Sequence, residues 1–202
     1  MNHMDSVAQT GSIAIIILAA GGSRRLGRPK QLLPYKGRTL LRHAAEVAVT
    51  SEAIVKMLVL GSEAERMKKE IHDLPLKLII NNHWNEGIST SIRAAVQALP
   101  GSVEAALFML CDQPMVSSGL ISRMIDARAS PGKPIVACEY AGTVGVPALF
   151  SRAYFDELSA LEGDTGAKRV ITTHIQDVFR VPFPEGSIDI DTPEDYDTSD
   201  RF

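Results

Sequence analysis

The chain has 202 residues, enough for one domain with a sizeable core. Its 45% hydrophobic and 22% charged content is ordinary for a soluble globular protein, and a net charge of −3 excludes general nucleic-acid affinity. No apolar run approaches a membrane span, residues 1–12 read as a disordered lead without a secretory pattern, and two cysteines make neither a disulfide framework nor a four-cysteine zinc site, so a cytoplasmic protein is expected.

The first element is 13–19, IAIIILA, an unbroken apolar run that reads as a fully buried parallel strand. It leads into the segment 18–30, LAAGGSRRLGRPK, which leaves the carboxyl end of that strand, where open α/β sheets bind ligands. Gly21, Gly22 and Gly27 let the backbone approach a ligand closely, and Arg24, Arg25, Arg28 and Lys30 crowd positive charge onto the same loop. Backbone donors with dense positive charge suit a polyphosphate. The loop is not a P-loop, because Arg28-Pro29 follows where Lys-Ser/Thr would stand, and Gly21-Gly22 does not give the dinucleotide fingerprint. Leu18, Ala19, Ala20, Gly21, Gly22, Ser23, Arg24 and Gly27 are the candidate nucleotide-binding residues here, with Lys30 and Arg25 as the charges that would act in catalysis.

Further strands are expected at 54–60, 76–80, 105–110, 134–137 and 178–181, and helices at 39–49, 63–72, 88–98, 117–127, 152–161 and 166–173. Such alternation predicts one domain over 13–202, a three-layer α/β fold on a mostly parallel, doubly wound sheet. The segment 139–146, with Gly142 and Gly145, reads as a small hairpin inserted over the site.

Four more segments carry polar chemistry. NNHWNEGISTS, 81–91, opens a helix whose N–H groups would face a base or phosphate; Gly87 and Ser91 join the nucleotide-binding set, while Ser89 or Ser91 reads equally well as a cap. His83 has no second ligand at zinc spacing. The strand at 105–110 runs into Cys111-Asp112-Gln113-Pro114, which sets a carboxylate at the sheet edge that holds the glycine loop, a fit for Mg²⁺ beside phosphates. Cys111 reads as a small buried hydrophobe, since no histidine is placed to activate it. Gly163-Asp164-Thr165 is a turn and cap ahead of Lys168 and Arg169, basic residues suited to an acceptor phosphate. In the tail, Asp191, Pro193, Glu194 and Asp195 read as a helix start, leaving Asp189 or Asp191 as the second metal carboxylate, with Asp189 favoured.

Together these segments resemble the molybdenum cofactor nucleotidyltransferase family, most closely its molybdopterin cytidylyltransferase branch. The resemblance runs through 18–34, Asn81 to Ser91, 111–114, Gly145-Val146-Pro147, 163–167 and 189–195, almost the whole chain after residue 12. It implies a Rossmann-like fold of the nucleotide-diphospho-sugar transferase kind, Mg²⁺ dependence, and transfer of CMP from CTP onto molybdopterin for enzymes of the molybdenum hydroxylase type. It also implies an acceptor side built from Asn81, Gln113, Pro114, Gly145, Asp164 and Lys168. Leu18-Ala19-Ala20 follows the CTP- and UTP-using pattern, whereas guanylyl-transferring relatives resemble LAGG at this point. Asn82, Ile88, Val146 and Lys168 depart from the family's usual residues, all on the acceptor side.

The implied chemistry is in-line attack by an acceptor phosphate on the α-phosphorus, which needs no general base because the nucleophile is already anionic. Alternatives share the loop and differ in acceptor, a sugar phosphate or methylerythritol phosphate, or hold nucleotide or cofactor without turnover as a carrier for a molybdenum hydroxylase or its maturation factor.

Overall fold

The computed structural model describes residues 12–23, 26–130, 132–188 and 190. The expected lead, apart from Ser12, falls outside them, as do Arg24, Arg25, Asp189 and Asp191. In chain order the elements are β1 (Ser12–Ala19), β2 (Pro34–Tyr35), β3 (Arg38–Thr39), α1 (Leu40–Thr50), β4 (Val55–Leu60), α2 (Ala64–Glu70) and β5 (Lys77–Ile80). There follow α3 (Ile88–Gln97), β6 (Val103–Leu110), α4 (Ser118–Ala127), β7 (Ile135–Tyr140), β8 (Thr143–Ser151), α5 (Phe155–Ser159), α6 (Lys168–Thr173) and β9 (Val178–Pro182).

Seven strands form one sheet in the order β5-β4-β1-β6-β8-β7-β9, and β2 pairs with β3 in a separate small ribbon. β1 pairs in parallel with both β4 and β6, and its residues alternate between the two faces of the sheet. Ile13, Ile15, Ile17 and Ala19 enter one core with the inner faces of α1, α2 and α4; Ala14, Ile16, Leu18 and Ala20 enter the other with α3, α5 and α6. Burial on both faces is why β1 reads as continuous hydrophobic sequence. Helix starts follow local chemistry: the Thr39 hydroxyl accepts from the Arg42 N–H (3.1 Å) and the Ser117 hydroxyl from the Leu120 N–H (3.3 Å), caps worth about 1 kcal/mol each. Among the described residues no helix is long and apolar enough to cross a membrane.

The expected hairpin is larger than its sequence signals. Its turn is at Ala141 (φ 48°) and Gly142 (φ 72°), but β8 continues to Ser151 and lies inside the main sheet, antiparallel to both β6 and β7. Pro147 would ordinarily argue against an internal strand. It is accommodated because the β7–β8 register jumps from Ala137↔Ala148 to Cys138↔Gly145, leaving Val146 and Pro147 unpaired, and the β6 ladder begins only at Ala148. The sheet is therefore parallel except for β8. The helix expected over 152–161 divides into a 3-10 turn at Arg152–Tyr154 followed by α5.

Candidate active site

The connections out of β1 run to β4 on one side, and β6 flanks it on the other, so the β1/β6 boundary is a topological switch point. A pocket of about 360 Å³ opens there. One wall is the end of β1 and its loop: Leu18, Ala19, Ala20, Gly21 and Gly22. The facing wall is the end of β6, with Leu110, Cys111 and Asp112, and Lys30 and Gln31 enter from beyond the loop. Trp84, Asn85, Gly87, Ile88, Ser91 and Asp164 complete the lining.

Asp112 is 8% exposed, and its Oδ2 pairs with Lys30 Nζ. Its Oδ1 is buried with no hydrogen-bond partner among the described residues. A hard, charged oxygen held out of solvent and unsatisfied fits a divalent cation, which takes one or two carboxylates together with phosphate oxygens. Among the described residues no group of three or more His, Cys, Asp or Glu side chains forms a metal cage. Ile190 lies beside Asp112: its N–H donates to the Asp112 backbone carbonyl (3.1 Å), while its side chain is buried against Leu33, Tyr35 and Leu40. Beside Asp112, burial and then the neighbouring carboxylate push the Cys111 thiol up to about 12, with Lys30 offsetting part of this, so the sulfur is not a nucleophile at neutral pH.

The glycine loop is fastened by side chains from the turn that follows it. Gln31, 1% exposed, donates from Nε2 to the carbonyls of Ala19 (3.0 Å) and Gly21 (2.7 Å), and its Oε1 accepts from the Ser23 hydroxyl (3.3 Å). Ser23 Oγ in turn accepts from the backbone N–H of Lys30 (2.9 Å). Trp84 lies against the loop at Gly22 and lines the pocket beside it. A Cβ at Gly22 would come 2.9 Å from Trp84 Cζ3, and one at Gly61 would come 2.6 Å from Trp84 Cβ and 2.8 Å from the Ala20 carbonyl oxygen. Both glycines are needed for this close approach.

Opposite, α3 begins at Gly87 (φ 116°) without a side-chain cap. A Cβ there would lie 2.1 Å from the Gly163 carbonyl oxygen, which accepts from the Ser89 N–H (3.2 Å), so the 163–164 turn is docked on the start of α3 and brings Asp164 to the pocket. Ser89 and Ser91 are buried and neither caps the helix; Ser91 Oγ accepts from Asn81 Nδ2 (2.9 Å).

The other sequence-derived residues lie outside the lining. The Asn81 amide is consumed by Thr90, Ser91 and the His83 N–H, which makes it a brace for the 81–91 turn. Gln113 is buried, its Nε2 reaching the carbonyls of Val146 (3.3 Å) and Gly186 (3.4 Å) and its Oε1 without a partner among the described residues. Pro114 accepts from His43 Nε2 (2.9 Å), and Gly145 leaves room for the Tyr140 hydroxyl, 2.4 Å from where its Cβ would stand. Gly27 (φ 64°) turns the loop in open space, and Lys168 begins α6 on the exterior. Gln31, Trp84, Asn85, Ile88, Leu110 and Cys111 are the lining residues to which the sequence assigned no ligand contact.

Open parallel sheets bind phosphorylated ligands at this position, and fold and site together define an α/β nucleotide-handling protein. Residues 15–178 match the MobA-like NTP transferase domain, and the chain belongs to that family. Nicotine blue oxidoreductase of Paenarthrobacter nicotinovorans is 35% identical over 111 residues, 54% of each chain, so the match spans about half the length of that relative. Purine catabolism protein PucB of Bacillus subtilis is 26% identical over 90% of this chain and 93% of its own. A probable molybdenum cofactor guanylyltransferase of Haloferax mediterranei is 28% identical over 66% of this chain and 63% of its own. Among solved structures, Rv0371c of Mycobacterium tuberculosis H37Rv superposes with a TM-score of 0.84 at 31% identity, covering 96% of this chain and 100% of that one; the same protein has been solved in complex with manganese.

Proposed function

We propose that the protein transfers CMP from CTP to the phosphate of a molybdopterin-type cofactor and releases pyrophosphate. The observation that carries this reading is the placement of a side-chain-fastened glycine loop opposite the Lys30–Asp112 pair, across one pocket at the switch point. An oxygen of the acceptor phosphate forms a bond to the α-phosphorus, and the bond from that phosphorus to the β-phosphate oxygen breaks with its electrons on pyrophosphate. Loop N–H groups around Gly21, Gly22 and Ser23 hold the β- and γ-phosphates, and Lys30 and Arg25 neutralise the charge that builds on the transferring and leaving groups. Asp112 and Asp189 would hold Mg²⁺, which supplies further charge neutralisation on the phosphates.

CTP is favoured by Ala20, which is 5% exposed and lines the pocket where a glycine would leave more room for a purine. A methyl-sized difference is worth only about 1–3 kcal/mol, so this preference is a matter of degree. The molybdenum cofactor is favoured by the guanylyltransferase relative together with the segment pattern of the whole chain. On the acceptor side Asp164 lines the pocket, Asn81, Gln113, Pro114 and Gly145 act by bracing the segments around it, and Lys168 stands outside the lining; the product passes in the cytoplasm to a molybdenum hydroxylase or its maturation factor.

The test is pyrophosphate release with Mg²⁺, offering CTP, GTP, UTP and ATP separately with and without the molybdopterin-type cofactor. Release with CTP only when cofactor is present is the expected result. Release with GTP instead removes the Ala20 argument, and silence with every nucleotide in the presence of cofactor moves the acceptor to another phosphate.

A further inference from the structure

We infer that Gln31 is a positioning residue that presets the glycine loop for a triphosphate by tying down the loop's carbonyl groups. This rests on the reading of that loop as the phosphate holder. The three peptide units from Ala19 to Gly22 expose three carbonyls and three N–H groups to whatever lies nearby. In the structure each of the carbonyls is already engaged by the protein. Those of Ala19 and Gly21 accept from the single Gln31 Nε2, at 3.0 and 2.7 Å, and that of Ala20 accepts from the Ser62 N–H at 3.0 Å.

A trans peptide plane directs its N–H opposite to its carbonyl. Holding the three carbonyls therefore fixes the N–H groups of Ala20, Gly21 and Gly22 on the other sides of their planes, and all three residues line the pocket. A flexible glycine pair has no intrinsic preference for this arrangement, since either glycine rotates readily to offer an anion its oxygen instead. The Gln31 amide suppresses that alternative. One primary amide supplies both N–H donors, and its oxygen is occupied by Ser23, which in turn holds the Lys30 backbone. Because Gln31 is 1% exposed, the clamp is sheltered from competition by water.

The experiment compares wild type with Gln31→Met, which keeps the side-chain length and loses both donors, and Gln31→Glu, which replaces the amide by a carboxylate facing two carbonyls. The probe is inorganic tripolyphosphate, followed by calorimetry. Gln31→Met should bind it about ten-fold more weakly or worse, the scale of one lost hydrogen bond, and Gln31→Glu more weakly still. With CTP the KM should rise while kcat changes less, as for a group acting on ground state and transition state alike; a purely structural residue would lower stability and leave KM in place. Unchanged tripolyphosphate affinity in a folded Gln31→Met overturns the clamp alone. A wild type that binds no tripolyphosphate overturns the phosphate reading of the loop. Should both variants fail to fold, wild-type amide resonances decide: those of Ala20, Gly21 and Gly22 must shift when tripolyphosphate binds, and their silence in the bound protein overturns the inference.

Discussion

Lys30 is held at both ends: its backbone N–H by Ser23 and its ammonium by Asp112. A cation fixed in this way spends little on reorganisation when charge develops on a neighbouring phosphate. Lys30→Ala should lower kcat by about 10²-fold or more with a much smaller change in KM, read from steady-state pyrophosphate release; an unchanged kcat removes Lys30 from the chemistry. His43, on α1, has a different dependence on charge. Its Nε2 bonds the Pro114 carbonyl, its ring edge packs on Tyr35 at 5.0 Å, and its Nδ1 is buried without a partner among the described residues. Burial pushes its pKa below the ordinary 6.5; Arg38 and Lys36 add to this, and the Pro114 bond and Glu46 work against it. The fold thus favours the neutral ring. That contribution is complete above the unfolded value near 6.5 and is lost as pH falls through the depressed folded value. The unfolding midpoint should drop between pH 7.5 and 5, and His43→Gln, which keeps a donor for Pro114 but cannot titrate, should flatten that slope. An identical slope in the variant assigns the pH dependence to other groups.

At the scale of elements, β1 and its loop were readable because both of their signals are local: an apolar run and a glycine spacing. The strand β8 was not, because Gly145 and Pro147 carry turn chemistry and only the register jump against β7 lets them sit within a strand. The Gln31 clamp escaped for a related reason. It joins positions ten and twelve residues apart across an irregular loop, where no periodicity marks the contact. Trp84 is plain in the sequence as the one tryptophan, yet its seat on Gly22 and Gly61 joins three separate connections of the sheet, which no local pattern marks. That seat gives a sharp contrast between two glycines. Gly61→Ala drives a methyl into Trp84 and the Ala20 carbonyl and should cost about 1–3 kcal/mol, the usual scale of overpacking. Gly21→Ala meets nothing within 4 Å and should stay within about 0.5 kcal/mol of wild type. Urea unfolding of both variants measures the difference, and equal losses would mean that Trp84 yields freely.

For the whole molecule, the three-layer α/β architecture followed from strand–helix alternation, and so did Asp112 beside the glycine loop, since both leave strands at one sheet edge; the arrival of Gln31 and Trp84 in the same pocket did not, since it depends on which connections the sheet order brings side by side. Trp84 is the sole tryptophan of the chain and lines that pocket. Its emission is therefore a clean reporter: CTP should change it saturably, with the same dissociation constant that calorimetry gives, and a flat emission alongside calorimetric binding would place the nucleotide away from this wall. The reversed strand has a last implication. β6 and β7 run the same way, so the β7–β8 tip rises at the sheet edge where Asp112 lies, and Gln113 ties to Val146 just beyond it. A hairpin tip lengthens or shortens without disturbing the ladders beneath it, because closing a few more residues of loop costs little entropy. The glycine loop has no such slack, being wedged between a buried strand, a buried glutamine and an indole. Room for change is thus distributed unevenly in such a scaffold: the wedged glycine loop tolerates little, while the hairpin tip on the far side of Asp112 is free to vary in length.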